Sequence, residues 1–343
     1  MRLGAWRGQG WAELLAQGRR QLRGAGVPEV EVDLRIMREH CLQCEASSVA
    51  STPTRHQRIV WRRLLHRRAQ RYPLQYTIGR WPFHACEVDL LVRPPVLIPR
   101  PETEVCLYNC AFSPDQLHLL PRAAANQKKG SAAACVDSSP PRQWLVDLAL
   151  ASLESNTRHI VDVGAGTGAI GLALLSTRPG VEVTAVEPHP TAQALIRRNA
   201  QRLGLADRLH VLCGRLQDVA LAWDQADLIV ANLPYVPTTR SSTAAEEIRH
   251  EDEGAIYAGE DGLAQIGPLL HHINASLAQT TTKPHRLTTV LLETDIAHEQ
   301  LLPRWMAQHQ LSWLVHDAVL PDQYGRPRFH RLRVRTVASP HTQ

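Results

Sequence analysis

Val161-Asp162-Val163-Gly164-Ala165-Gly166-Thr167-Gly168 is the stretch that decides the fold. The apolar run His159 to Val163 reads as a strand, and it breaks into a loop with glycine at every second position. Ala169 to Leu175 then reads as a helix, so the unit is strand, loop, helix, as in α/β sheets. Glycine lets a backbone turn sharply and approach a ligand that side chains would exclude. The N–H groups of the loop and the helix N-terminus can hold a negatively charged group. Glu187 ends a second apolar strand, Val181 to Val186, nineteen residues after Gly168. A carboxylate at that place can accept hydrogen bonds from both hydroxyls of a ribose.

Alone, a glycine loop fits any nucleotide-like cofactor, NAD included, or a tight turn with no ligand at all. Here the pattern is Asp-x-Gly-x-Gly-x-Gly, with Asp162 two residues before the first glycine. It resembles the cofactor loop of S-adenosylmethionine-dependent methyltransferases more than the Gly-x-Gly-x-x-Gly dinucleotide loop. That resemblance implies S-adenosylmethionine along Asp162, Gly164, Ala165, Gly166, Thr167 and Gly168, with its ribose on Glu187.

A second motif narrows the chemistry. Asp227 to Ala231 is an apolar strand, and it ends in Asn232-Leu233-Pro234-Tyr235. Ligands of open α/β sheets bind beyond the carboxyl ends of strands, so this tetrapeptide belongs beside the glycine loop. The Asn232 side-chain oxygen and the Leu233 carbonyl can accept both N–H bonds of a substrate –NH2 group. Such a nitrogen is a poor nucleophile, and alignment of reactants lowers a barrier by about 7–11 kcal/mol. Tyr235 can cover a planar group. The bland alternative is an ordinary turn, because Asn and Pro favour turns.

The tetrapeptide is typical of methyltransferases that modify planar –NH2 groups, and the rest of the chain separates their substrates. Upstream stand Pro73-Leu74-Gln75-Tyr76-Thr77-Ile78-Gly79 and Pro94-Pro95-Val96-Leu97-Ile98-Pro99-Arg100-Pro101-Glu102-Thr103-Glu104. Downstream stand Gly259-Glu260-Asp261-Gly262-Leu263 and Asp322-Gln323-Tyr324-Gly325-Arg326-Pro327-Arg328-Phe329. In these strings the chain resembles the PrmC/HemK family, the glutamine methyltransferases of peptide chain release factors. The resemblance covers nearly all the chain from about residue 10 to residue 335. It implies a Rossmann-like methyltransferase sheet of seven strands, mostly parallel, with an antiparallel element at its end and a small N-terminal helical domain that recognises the release factor. The substrate is then the glutamine of a Gly-Gly-Gln motif, held by Asn232, Leu233, Pro234 and Tyr235. Leu216 packs on the adenine face, and Asp162 orients the loop.

The chain departs from the family pattern in three respects. Leu233 stands where the family usually has proline, and Asn-Leu-Pro-Tyr also resembles the adenine dimethyltransferases of ribosomal RNA. Arg215 and Leu216 occupy places where an acid and a bulky residue are common, and residues 113 to 143 look like an inserted surface loop rich in Ala, Ser, Pro and Lys. The rival functions are therefore an adenine N6-methyltransferase of RNA or DNA, a glutamine methyltransferase of a ribosomal protein, or a binding module without catalysis.

Four prolines between Pro94 and Pro101 restrict the backbone to extended conformation. Pro101 suits the first turn of a helix, with Glu102 and Glu104 complementing its positive end. The stretch reads as a stiff strap across the mouth of the cofactor domain, with Arg100 and Glu102 shaping the substrate end.

Composition agrees. The chain of 343 residues allows two domains, its 44% apolar content supports buried cores, and no window approaches the ~20 apolar residues of a membrane span. The net charge of +5, almost all arginine, suits an acidic or ribonucleoprotein-bound partner, but it is too mild to imply stable nucleic-acid binding. Seven cysteines, an odd number, indicate a reducing compartment. Cys41 and Cys44 form a lone CxxC pair, Cys106 and Cys110 lie one helical turn apart, and His271-His272 has no acid or cysteine at ligand spacing, so no metal is expected. No apolar h-region follows the first arginines, and the expected location is cytoplasmic. Residues 1–75 read as helices that recognise the substrate, 76–104 as a β-hairpin and the strap, and 105–343 as the catalytic domain. Arg62, Arg63, Arg67 and Arg68 face a partner or solvate a helix.

Overall fold

The structure, a computed structural model, describes residues 10–44, 52–83, 88–100, 145–219, 221–279, 286–322 and 324–335. Glu102, Cys106, Cys110 and the stretch 113–143 lie outside the described residues.

The chain opens with α1 (Trp11–Gly24), α2 (Val30–Gln43), α3 (Arg55–Ala69) and the short α4 (Leu74–Ile78). Thr54 and Gln57 start α3 with a reciprocal capping box. Leu14 and Leu22, Leu34 and Met37, and Trp61, Leu64 and Leu65 recur at helical spacing and form one buried cluster. A Cβ at Gly18 would stand 2.7 Å from Leu34 Cδ2 and 3.1 Å from Trp61, so the glycine sets how closely α1 approaches its neighbours. Arg68 departs from the expected solvated or partner-facing arginine group. It falls on the buried face of α3, at helical spacing from Trp61, Leu64 and Leu65, and its Nε donates to Asp33 Oδ2 at 2.5 Å. Cys41 is likewise a packing residue; burial pushes its thiol up to about 12.

A two-stranded antiparallel hairpin follows, β1 (Arg80–Phe83) with β2 (Val88–Leu91). The main sheet contains β3 (His159–Val163), β4 (Glu182–Glu187), β5 (Leu209–Cys213), β6 (Leu228–Ala231), β7 (Thr289–Glu293), β8 (Leu314–Pro321) and β9 (Pro327–Val334). Their order is β5-β4-β3-β6-β7-β9-β8, with β9 antiparallel to both neighbours. The expected seven-stranded sheet with an antiparallel end is therefore present. One face carries α5 (Leu145–Ala151), α6 (Ala169–Thr177) and α7 (Pro190–Leu203); the other carries α8 (Ile266–Gln279) and α9 (His298–Gln308). Alternation along β3 sends Ile160 to the first face and Val161 and Val163 to the second.

The strand order reverses at β3, whose neighbours are β4 and β6. Val163 pairs with Val186 on one side and with Ala231 on the other, so the three strands end level. This is the switch point where open α/β sheets bind ligands.

Asn199, fully buried on α7, joins the hairpin to this point. Its Oδ1 accepts the Leu91 N–H at 2.8 Å, and its Nδ2 donates to Leu91 O at 3.2 Å and to Thr167 O at 3.0 Å. Replacing Asn199 by Ala leaves these backbone groups without that partner. The expected loss is about 3 kcal/mol of stability, read from the urea midpoint and slope; a change below about 1 kcal/mol contradicts this role.

Candidate active site

A cleft of about 580 Å³ opens beyond the ends of β3, β4 and β6. Gly164 and Gly166 line it from the glycine loop, Glu187 from the end of β4, Leu216 from the segment after β5, and Asn232, Leu233 and Pro234 from the segment after β6. The strap contributes Pro95, Val96 and Leu97. Val96 is anchored by packing on Ala192 and Leu195 and by the Tyr76 hydroxyl, which donates to its carbonyl at 2.6 Å.

Four of the loop amides are engaged within the protein. Gly164 and Ala165 N–H both donate to Val186 O, at 2.9 and 3.2 Å, and Gly168 N–H donates to Ala165 O at 2.8 Å. Gly166 N–H donates to Glu187 Oε2 at 2.8 Å. A tight loop closes on the neighbouring strand, and these four donors hold it there. Ala165, Thr167 and Gly168 are not among the lining residues.

Glu187 is 6% exposed. Its second oxygen accepts the His189 N–H at 2.8 Å. Burial pushes its pKa up, and the His189 and Gly166 amides oppose that push. Each carboxylate oxygen therefore takes one backbone donor and keeps lone-pair capacity for a ligand hydroxyl.

Asp162 occupies a different place. Its side chain leaves β3 on the α6 face, where Oδ2 accepts the Gly171 N–H at 2.9 Å and Oδ1 has no hydrogen-bond partner among the described residues. It is fully buried and absent from the cleft lining, and burial pushes its carboxyl up to about 7. Strand alternation explains this, because Val163, the next residue, is the one that reaches the cleft.

Glycine is required at 164 for close approach. A Cβ there would stand 2.8 Å from Leu233 Cδ2, and φ is +72°. Gly166, at φ +56°, has no atom within 4 Å of an added Cβ, so that position faces the open cleft. Tyr235 lies behind the lining residues. Its hydroxyl donates to Glu293 Oε1 at 3.1 Å and accepts from Arg328 Nη2 at 2.9 Å, and the Arg328 guanidinium lies 5.2 Å from its ring centroid. Gly262 presses on the same residue: a Cβ there would lie 2.2 Å from Tyr235 O.

Arg100 does not line the cleft. Its Nη2 donates to Glu251 Oε1 at 2.9 Å, while Glu251 Oε2 accepts the Ile98 N–H at 3.0 Å. The adjacent Asp252 does line the cleft, with Gly254 and Ala255, and its charge adds to the upward push on Glu187. Sequence reasoning missed this acidic turn, because no periodicity or spacing ties it to the glycine loop. Asn199 carried a legible signal, a lone amide on the apolar face of α7.

Among the described residues no group of three or more His, Cys, Asp or Glu could hold a metal ion, and no helix is long and apolar enough to cross a membrane.

Residues 13–79 match the PrmC N-terminal domain family, and residues 137–230 match the precorrin methyltransferase domain family. The human MTRF1L release factor glutamine methyltransferase is 34% identical over 277 residues, which cover 79% of this chain and 70% of that protein. The release factor glutamine methyltransferase of Deinococcus radiodurans is 32% identical over 334 residues, 94% of this chain and 97% of that one. Among solved structures, the ribosomal protein L11 methylase of Lactobacillus delbrueckii subsp. bulgaricus shares 16% identity, with a TM-score of 0.38 over 56% of this chain and 77% of that one.

The glycines give a direct test of the site geometry. Gly262→Ala forces a backbone carbonyl to move and is expected to cost about 3 kcal/mol, while Gly166→Ala, which meets nothing, costs about 1 kcal/mol for its left-handed backbone. Urea unfolding of the two variants decides it; equal costs contradict the packing described.

Proposed function

The chain belongs to the release factor glutamine methyltransferase family, and from that premise we propose that it transfers a methyl group from S-adenosylmethionine to the side-chain amide nitrogen of the glutamine in a release factor Gly-Gly-Gln motif. The observation that carries the reading is the meeting of Asn232, Leu233 and Pro234 with Gly164, Gly166 and Glu187 around one cleft.

The residues present fit the cofactor. Gly166 leaves free the space a side chain would fill, Glu187 retains acceptor capacity for ribose hydroxyls, and the buried Leu216 offers an apolar wall to adenine. When bound, S-adenosylmethionine would supply a sulfonium-activated methyl to the amide nitrogen, with the C–S bond broken and S-adenosylhomocysteine as the leaving group. The chain contributes position. The Asn232 side-chain oxygen and the Leu233 carbonyl accept the two amide hydrogens and turn the nitrogen towards the cofactor. Tyr235, fixed by Glu293 and Arg328 behind the lining residues, supports the tetrapeptide rather than covering the amide. Alkylation makes the nitrogen acidic enough to lose its proton to water, so no dedicated base is needed.

Cofactor-binding roles fall to Gly164, Gly166, Glu187 and Leu216, while Asn232 lines the same cleft with its main role towards the substrate amide. Asp162, Ala165, Thr167 and Gly168 act from behind, by shaping the loop. Arg100 acts on the cleft wall through Glu251. The helical domain is the part suited to recognising the release factor.

Incubation with labelled cofactor, a purified release factor and ribosomal RNA tests the proposal. Label is expected in protein at glutamine; label in deproteinised RNA overturns it. Asn232→Ala is expected to lower transfer by about 100-fold or more while cofactor affinity changes by less than about threefold. Residual transfer with weak cofactor binding contradicts the roles assigned.

A further inference from the structure

Part of the wall of the cleft is built from residues after β6, with Asp252, Gly254 and Ala255 among them. Thr238–Thr243, Glu246–His250 and Glu253–Ala255 are 3-10 turns with no buried residue. Tethers position them: Arg240 Nη1 donates to Asp295 Oδ2 at 2.6 Å, Val236 and Tyr257 form a β-bridge, and the middle turn is held by the helical domain. Arg71 grips Glu247 with two parallel bonds, Nε to Oε1 and Nη2 to Oε2, both 2.8 Å. Arg68 Nη1 adds a third, to Oε1 at 2.9 Å.

The arginines are themselves fixed. Arg68 is held by Asp33 in a pair whose side chains are 7% and 12% exposed. Tyr72, next to Arg71, meets the His250 ring edge-on at 4.8 Å. Bidentate Arg–carboxylate geometry is directional, and partial burial shields it from water. The arginines lower the Glu247 pKa to about 2 against the cost of burial, so the pair persists across the neutral range.

From Glu247 the chain runs straight to the cleft. Glu251 takes Ile98 N–H and Arg100, Asp252 N–H donates to Pro95 O at 2.8 Å, and Asp252, Gly254 and Ala255 line the cavity. We propose that Glu247 is a positioning residue for cofactor binding, and that the helical domain, through Arg68 and Arg71, forms part of the support of the cofactor site. The domain assigned to substrate recognition thus also sets the wall against which the cofactor binds. This rests on the function proposed above only in naming the ligand.

The test is calorimetric titration of the full chain with S-adenosylhomocysteine, with ligand-free melting measured in parallel. Glu247→Gln and Arg71→Ala are each expected to weaken binding about fivefold or more. The double variant should weaken it no further than the worse single one, because the two residues share one interaction. Arg71→Lys keeps the charge but loses the fork, and should fall between wild type and Arg71→Ala. Glu31→Gln breaks the Arg19–Glu31 pair (2.6 Å) on the same domain, away from the cleft, and should leave affinity unchanged.

A purely structural role lowers the melting temperature and leaves the affinity of the folded protein within twofold of wild type. That result in Glu247→Gln overturns the proposal. Should Glu247→Gln not fold, an unchanged dissociation constant in Arg71→Lys does the same. The wild-type titration checks the methyltransferase reading separately, since tight binding there with unaltered variants overturns only the coupling.

Discussion

Three parallel strands that end at the same level impose the geometry of the cleft. Val163 lies between Val186 and Ala231, so whatever follows each strand must meet within one small space. The chain meets this constraint with a glycine loop, a carboxylate and an asparagine. The loop closes on β4 through the Val186 carbonyl and the Glu187 carboxylate. The consequence is a rigid floor, because moving the loop breaks bonds to the adjacent strand. Glu187 therefore has two tasks: it fixes the loop from below and offers its remaining lone pairs to a ligand.

The mouth of the cleft has a different physical basis. Its floor consists of strand ends, whereas its rim is extended chain and 3-10 turns that bury little of themselves. Such segments are positioned by discrete contacts with neighbours. Here the contacts come from three sides: Arg71 binds Glu247, Pro95 of the strap receives the Asp252 N–H, and Arg240 binds Asp295 after β7. Segments far apart in sequence thus meet at one rim.

The two layers also differ in how much of them is legible from sequence. The strands of the floor are short apolar runs buried on both faces, and such runs followed by glycine or asparagine can be read directly. Of the site residues, Gly164, Gly166, Glu187, Leu216, Asn232, Leu233 and Pro234 all reach the cleft, since each lies at the end of a strand or within a few residues beyond it. Asp162 lies one residue earlier in the alternation and points to the opposite face. The rim is illegible for a related reason. The Arg71–Glu247 bond joins residues 176 positions apart, and nothing in the local pattern of either records the other. Arg68 shows the same limit, since its charge suggests solvent while its helical phase places it beside Asp33.

Leu233 shows how a departure from the family pattern can be absorbed. Proline at that position would restrain the backbone by its ring. Leucine restrains it through packing: the side chain is 7% exposed, joins Val163 and Val186 in the core, and occupies the room left by the missing Cβ of Gly164. Pro234 still follows and limits the Leu233 backbone to extended conformation. The carbonyl assigned to the substrate amide is thus held by a buried side chain on one side and by a ring on the other. The substitution exchanges a local restraint for a tertiary one, so the geometry of the tetrapeptide now depends on the glycine loop being in place.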